Sequence, residues 1–187
     1  MNGSRQARGL TLVELIVVVA VVAVVLALAV PSMREFMVRQ RVQAINAELV
    51  NDLQFARSES ITRKRTIWVS FRVDDTTMTC YTIRTGVVLG GCDCRLPPGT
   101  ACQNVPGLVE IKTVQVPRST TVTLQPPSTA QTEVNFSEPQ GRAAPGDFRV
   151  VVGSSVAGKL RTSTNSFGRP QVCTPDGSMN GVATCQD

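Results

Sequence analysis

At 187 residues with 42% apolar side chains, the chain is long enough for one ordinary domain plus an additional segment. Aromatic residues make up only 4%, so a core must be built mainly from Val, Ile, Leu and Ala, which favours a small β-rich head. There is no histidine, which removes the commonest general base and zinc ligand and argues against hydrolytic or metal chemistry, and a formal charge of +5 is too small to specify an anionic partner.

Arg5 and Arg8 open the chain with no acidic neighbour, and every residue from Leu15 to Val30 is apolar, with Leu10 and Leu12 extending the run. As a helix, Leu10 to Val30 would be about 31 Å long, enough to cross the hydrocarbon core of a bilayer. The basic start keeps residues 1–9 in the cytoplasm and sends the rest outward. Glu14 does not suit a plain anchor, because an ionised carboxylate deep in the membrane costs about 2.5 to 3.5 kcal/mol. It therefore calls for a partner.

The run Gly9-Leu10-Thr11-Leu12-Val13-Glu14 resembles the processing site of type IV prepilins. In that family a short basic leader ends in Gly, a Phe usually follows, and a Glu stands at the fifth mature position; here Leu10 replaces the Phe. The resemblance implies a prepilin peptidase that cuts between Gly9 and Leu10 and methylates the new amine of Leu10. It also implies that Glu14 neutralises the α-amino group of a neighbouring subunit, so that both charges are compensated only in register. Pro31 falls where the family's helix carries a proline that removes one backbone donor. An uncleaved anchor, or a signal peptide cut after Ala27-Leu28-Ala29, would leave Glu14 without a role.

Beyond Pro31 the helical period continues through residues 31–63. Val38, Val42, Ile45, Leu49, Leu53 and Ala56 recur at spacings of three and four, while Arg39, Arg41, Gln43, Asn46, Glu48, Asp52, Arg57 and Glu59 take the other positions. Arg63, Lys64 and Arg65 form a basic last turn that complements the helix dipole. The end of this helix, Leu53 to Arg63, followed by Thr66 to Phe71, resembles the GspH-type pseudopilins and the FimT- and FimU-type minor pilins.

From residue 64 to 187 short β-like runs alternate with Gly, Pro and Asp. Thr66–Val73 and Met78–Thr85 flank Asp74-Asp75-Thr76-Thr77 as a hairpin, in which the two aspartates are turn residues and not an acid and base pair. Leu108–Val116, Thr120–Leu124, Thr132–Phe136, Phe148–Gly153, Leu160–Ser163 and Gln171–Cys173 are further strand candidates. The expected fold is α+β and pilin-like: a membrane-spanning helix over 10–30 and an amphipathic one over 31–63, packed on an antiparallel sheet or sandwich.

Six cysteines behind an apolar N-terminal segment indicate an oxidising compartment and disulfides. Cys92 and Cys94, with Cys80 before and Cys102 after, do not reproduce the paired C-x-x-C of structural zinc sites. Cys173 and Cys185 bracket a short loop and are expected to clasp the tail; the pairing of Cys80, Cys92, Cys94 and Cys102 stays open. The glycines around Gly86 to Gly91 have no following Lys-Ser or Lys-Thr and make no phosphate loop.

These features predict a non-enzymatic minor pilin or pseudopilin without a cofactor. It would sit in the inner membrane by a single span with a periplasmic head, then enter a filament. The partners implied are the prepilin peptidase, other pilins or pseudopilins and the inner-membrane assembly platform. A second reading comes from the Gly-Arg-x-Arg motif with which some FimT-type pilins take up DNA. Here Gly168-Arg169-Pro170-Gln171 keeps only the first Arg, and Lys159, Arg161 and Arg169 are the candidate phosphate contacts.

Overall fold

The computed structural model describes residues 11–72, 76–86 and 91–186. Its first element is α1, Leu12–Arg63, which runs through Pro31 without a break in helical assignment. The start of the helix is set by Thr11, whose Oγ1 accepts the backbone N–H of Glu14 at 3.3 Å. Thr11 is thus the N-cap and Glu14 the third helical residue, the T-x-x-E arrangement of a capping box. Its end is set by Lys64, whose φ of 52° lets the Arg65 N–H reach back to the Ser60 carbonyl at 3.3 Å.

The described residues divide into two units, the boundary falling within α1 between Met37 and Val38. In the second, Val42, Leu49, Leu53 and Ala56 are fully or almost fully buried, with Ile45 packed at the margin. Asn46 and Asp52, placed by period alone among the outward polar positions, are buried as well. They face the sheets because strand side chains supply their partners there: Thr162 Oγ1 donates to Asn46 Oδ1 at 2.7 Å, and the Tyr81 hydroxyl donates to Asp52 Oδ2 at 2.7 Å. A buried polar group is tolerated where it is hydrogen-bonded, so periodicity alone cannot reveal such positions.

Among the described residues nine strands follow: β1 Ile67–Arg72, β2 Met78–Thr85, β3 Val109–Pro117, β4 Thr123–Gln125, β5 Glu133–Ser137, β6 Arg142–Ala144, β7 Phe148–Ser154, β8 Gly158–Thr164 and β9 Pro170–Cys173. All pair antiparallel, in a five-stranded sheet of order β3-β2-β1-β5-β6 and a four-stranded sheet of order β4-β7-β8-β9. Alternate residues of β1 (Ile67, Val69, Phe71), β5 (Val134, Phe136) and β7 (Phe148, Val150, Val152) enter one core with the helix. Phe71 stands 5.3 Å from Tyr81 and 5.5 Å from Phe148, ring centre to ring centre.

Two strand expectations need correction. The strand read over Thr120–Leu124 begins only at Thr123, because Arg118–Thr120 forms a 3-10 turn closed by Thr121 at φ 62°. β6 was not expected, being three residues long and ended by Pro145, which has no N–H for a ladder. The proposed turn at Asp74 and Asp75 lies outside the described residues.

Three disulfides join Cys80 to Cys94, Cys92 to Cys102 and Cys173 to Cys185. The first fastens the loop between β2 and β3 to Cys80 of β2, and the second closes that loop on itself. Gln115 Nε2 donates to the carbonyls of Cys94 and Leu96 at 2.8 and 3.0 Å, and Glu110 accepts the N–H groups of Gly99 and Ala101 at 2.7 Å each. The third closes a separation of 12 residues. Closure of a loop of that order contributes about 3 kcal/mol in the chain-entropy estimate.

Candidate functional site

From Leu15 to Val30 the sequence of α1 is apolar on every side. Leu12 is 74% exposed, and Val13, Leu15, Ile16 and the valines through Val25 are all open in the single chain. Such a surface is stable only against lipid or the helices of other subunits. α1 is the one described helix long and apolar enough to span a membrane. Glu14 lies one turn into it, where its charge favours the positive end of the helix dipole. Gly9 and Leu10 lie outside the described residues, as does the side chain of Pro31.

A polar cluster lies where the amphipathic half of α1 meets the five-stranded sheet. Lys112 of β3 donates to Glu48 Oε1 at 3.1 Å and to Asp52 Oδ1 at 2.8 Å, and Asp52 also receives the Tyr81 hydroxyl. Burial, with the Asp52 carboxylate beside it, pushes the Tyr81 phenol far above its ordinary range. Desolvation acts to lower Lys112, yet its hydrogen bonds to Asp52 and Glu48 outweigh it and leave the ammonium raised.

Both groups hold their protons more tightly in the folded head. Their stabilisation is therefore complete below the ordinary values of about 10 and 10.4 and is lost as pH rises through the raised ones. Tyr81 is the only tyrosine, so the near-ultraviolet tyrosinate band of the full chain in detergent reports it alone. That band is expected to appear only as the head unfolds in alkali. In Asp52→Ala, which removes the carboxylate and the hydrogen bond, it should appear at lower pH.

On the outer face of the five-stranded sheet, the fully buried Arg84 joins three strands. Its Nη2 lies 3.1 Å from Glu133 Oε1 on β5, its Nε donates to Ser70 Oγ on β1 at 3.2 Å, and its guanidinium lies 5.5 Å from the Trp68 ring centre. At the edge of the β2–β3 loop, Asp93 pairs with Arg95 and Arg72, and the Arg95 hydrogen bond foremost holds its carboxyl at about 2. These are structural ties. Among the described residues no three His, Cys, Asp or Glu side chains come together as a metal site.

The basic residues read from the sequence do not form one patch. Lys159 and Arg161 lie two apart on β8 and share a face, opposite Gly153 and Val151 of β7. Arg169 lies in the β8–β9 turn, about 17 Å along the strand from Lys159 at about 3.3 Å per residue. It lines a separate cavity with Gln54, Arg57 and Ile61 of α1. The physical reason is register: Lys159 lies five residues from the Thr164 end of β8, whereas Arg169 lies in the turn beyond that end, next to Pro170, the partner of Thr164. Gly168 has a packing role of its own: with φ at 73°, a Cβ there would collide with the Gly141 carbonyl and come within 2.9 Å of Arg57 Cδ.

A capped helix, apolar from Leu15 to Val30 and continuing into an amphipathic stretch packed on an antiparallel β head, defines a pilin-like protein: a structural subunit anchored by its N-terminal helix and carrying a soluble head. Residues 46–173 match the family model for Type II transport protein GspH, and residues 4–30 match the prokaryotic N-terminal methylation motif. The chain belongs to the GspH family and is a pilin-type subunit of the minor pilin and pseudopilin kind. Among solved structures it is similar to the type IV minor pilin FimU of Pseudomonas aeruginosa PAO1 in two crystal forms. One has TM-score 0.54 and 20% identity over 78% of this chain and 97% of that one; the other has TM-score 0.50 and 18% identity over 74% and 97%. No curated protein sequence matches the chain.

Proposed function

We propose that this chain is a minor subunit of a type IV pilus or of a type II secretion pseudopilus that acts in filament initiation or at the tip, and that it has no enzymatic activity. The observation carrying this reading is the joining, in one chain, of a methylation-motif helix over residues 4–30 to a GspH head over 46–173. The leader of residues 1–9 is removed by prepilin peptidase between Gly9 and Leu10, and Leu10 is N-methylated. Before assembly the subunit crosses the inner membrane once with its head in the periplasm, where the three disulfides persist. Other pilins or pseudopilins and the inner-membrane assembly platform are its partners. Glu14 sets axial register by meeting a neighbour's α-amino group, and Pro31 loosens the helix locally so that it can pack in the filament.

Intact-mass analysis of membrane-extracted protein tests this. The expected mass is that of a chain starting at Leu10 with one added methyl group, and Gly9→Trp should leave the full leader attached. A start at Val30 would instead identify a secretory signal peptide, and a start at Met1 an uncleaved anchor.

A further inference from the structure

Beside the Arg84 cluster, the outer face of the five-stranded sheet carries a cavity of about 580 Å³, within the range of about 300 to 1,000 Å³ usual for small-molecule sites. Ladder register sets its floor. Trp68 of β1 stands opposite Arg84 of β2 on one side and Asn135 of β5 on the other, and Asn135 stands opposite Ala144 of β6. Arg84 therefore flanks the indole on the β2 side, and the cavity lies over the β5 and β6 side. Its walls are residues 130–132 ahead of β5 and Pro145 after β6. The first wall is pinned: the Thr132 carbonyl accepts the Phe71 N–H at 2.8 Å, and the Gln131 N–H donates to Ser128 Oγ at 3.1 Å.

Polar groups at this cavity lack partners. Among the described residues, no hydrogen bond reaches the side-chain amides of Gln131 and Asn135, and the buried Nε1 of Trp68 has none either. Each amide offers two donors and an acceptor, and a buried indole N–H ordinarily finds an acceptor. Charge is already balanced. Glu133 is the one ionisable side chain among the described residues lining the cavity, and Arg84 at 3.1 Å and the Ser70 hydroxyl at 2.7 Å hold its carboxylate. The site thus combines an aromatic and proline surface with open amides and no charge to spare.

We infer that the cavity bounded by Trp68, Gln131, Asn135 and Pro145 is a binding site for a neutral saccharide unit. A sugar ring has an apolar C–H face for the indole and proline, and a rim of hydroxyls, each both donor and acceptor, for the two amides. Other ligand classes fit less well. A phosphate or nucleic-acid backbone would find no free cation, because Arg84 is fully buried and engaged with Glu133. An extended peptide would find no open main chain along the floor, since β5 is paired with β1 on one side and β6 on the other. A hydroxyl entering here also supplies the acceptor that Trp68 Nε1 lacks, after a small shift of the ring. The site lies wholly in the head and holds whether or not the chain enters a filament.

Trp68 is the only tryptophan, so its emission reports the site directly. The full chain, held in a detergent without a sugar headgroup, is titrated with neutral trisaccharides of glucose, galactose, mannose and N-acetylglucosamine, and with a proline decapeptide. At least one trisaccharide is expected to change the emission saturably; response to the N-acetylated one alone would mark an amino-sugar polymer as the source, and response to a plain hexose a neutral hexose polymer. Asn135→Ala and Gln131→Ala should each weaken binding about tenfold, the loss of one hydrogen bond, with the unliganded emission unchanged. Trp68→Phe, followed by calorimetry, should lose it, while Lys159→Ala on the other sheet should keep it. No saturable response to any trisaccharide would overturn the site. So would a response indifferent to both amide variants, or one given by the proline peptide and by no saccharide.

Discussion

Arg84→Ala is expected to destabilise the head by about 3 to 5 kcal/mol, the range for breaking a buried ion pair by removing one partner. Arg84 is the largest fully buried side chain and reaches from β2 across β1 to β5. Its loss takes the guanidinium from Glu133, leaves the Gly86 carbonyl without the Arg84 Nη1 donor at 3.5 Å, and removes the cation stacked on Trp68. Register partners show why one residue ties three strands: Arg84 stands opposite Trp68, and Ser70 opposite Glu133. Trp68 is the only tryptophan, so its fluorescence during denaturant unfolding of the detergent-held chain reads the change locally. The double variant Arg84→Met with Glu133→Leu should recover most of the loss, because apolar replacement of both partners of a buried pair is often neutral. A double variant as unstable as the single one would show that Arg84 contributes through packing and not through its pair.

The second large effect is on assembly. Glu14→Gln is expected to give a subunit that is processed and inserted normally but enters filaments at least about a hundredfold less, from a pair worth about 3 to 5 kcal/mol at about 1.4 kcal/mol per factor of ten. Insertion should not suffer, since removing the charge lowers the cost of burying the segment in lipid. Gln is chosen because it keeps the length of the side chain. The cap from Thr11 is also kept, because it uses the backbone N–H of Glu14. The readout is the ratio of subunit in sheared filaments to subunit in the membrane. An unchanged ratio would leave Glu14 as a helix-start residue and nothing more.

Between them these variants address the two halves of the chain, and the halves differ in how far the sequence could be read. The N-terminal half depends on local properties. An unbroken apolar run has one stable conformation in lipid, because only a helix satisfies its own backbone there, and T-x-x-E at its start is a local signal as well. The pilin-like α+β class followed from the same kind of reading, with a period near 3.6 up to residue 63 and short alternating strands after it. Strand positions were approximate where turn chemistry intervened, as at Thr121, and β6 was too short to carry a period.

By itself, then, the sequence determined the apolar helix, its amphipathic continuation, the antiparallel β head and the membership of a pilin-type class, because each depends on the chemistry of neighbouring residues. Tertiary structure alone decided which polar residues turn inward, which of Cys80, Cys92, Cys94 and Cys102 are bonded, and which cations share a surface. Asn46 meets Thr162 across 116 residues, Arg84 meets Glu133 across 49, and Arg57 meets the Gly141 carbonyl across 84. Such contacts exist only once two sheets have closed on one helix, and no periodicity along the chain encodes which distant partner will satisfy a buried donor or charge.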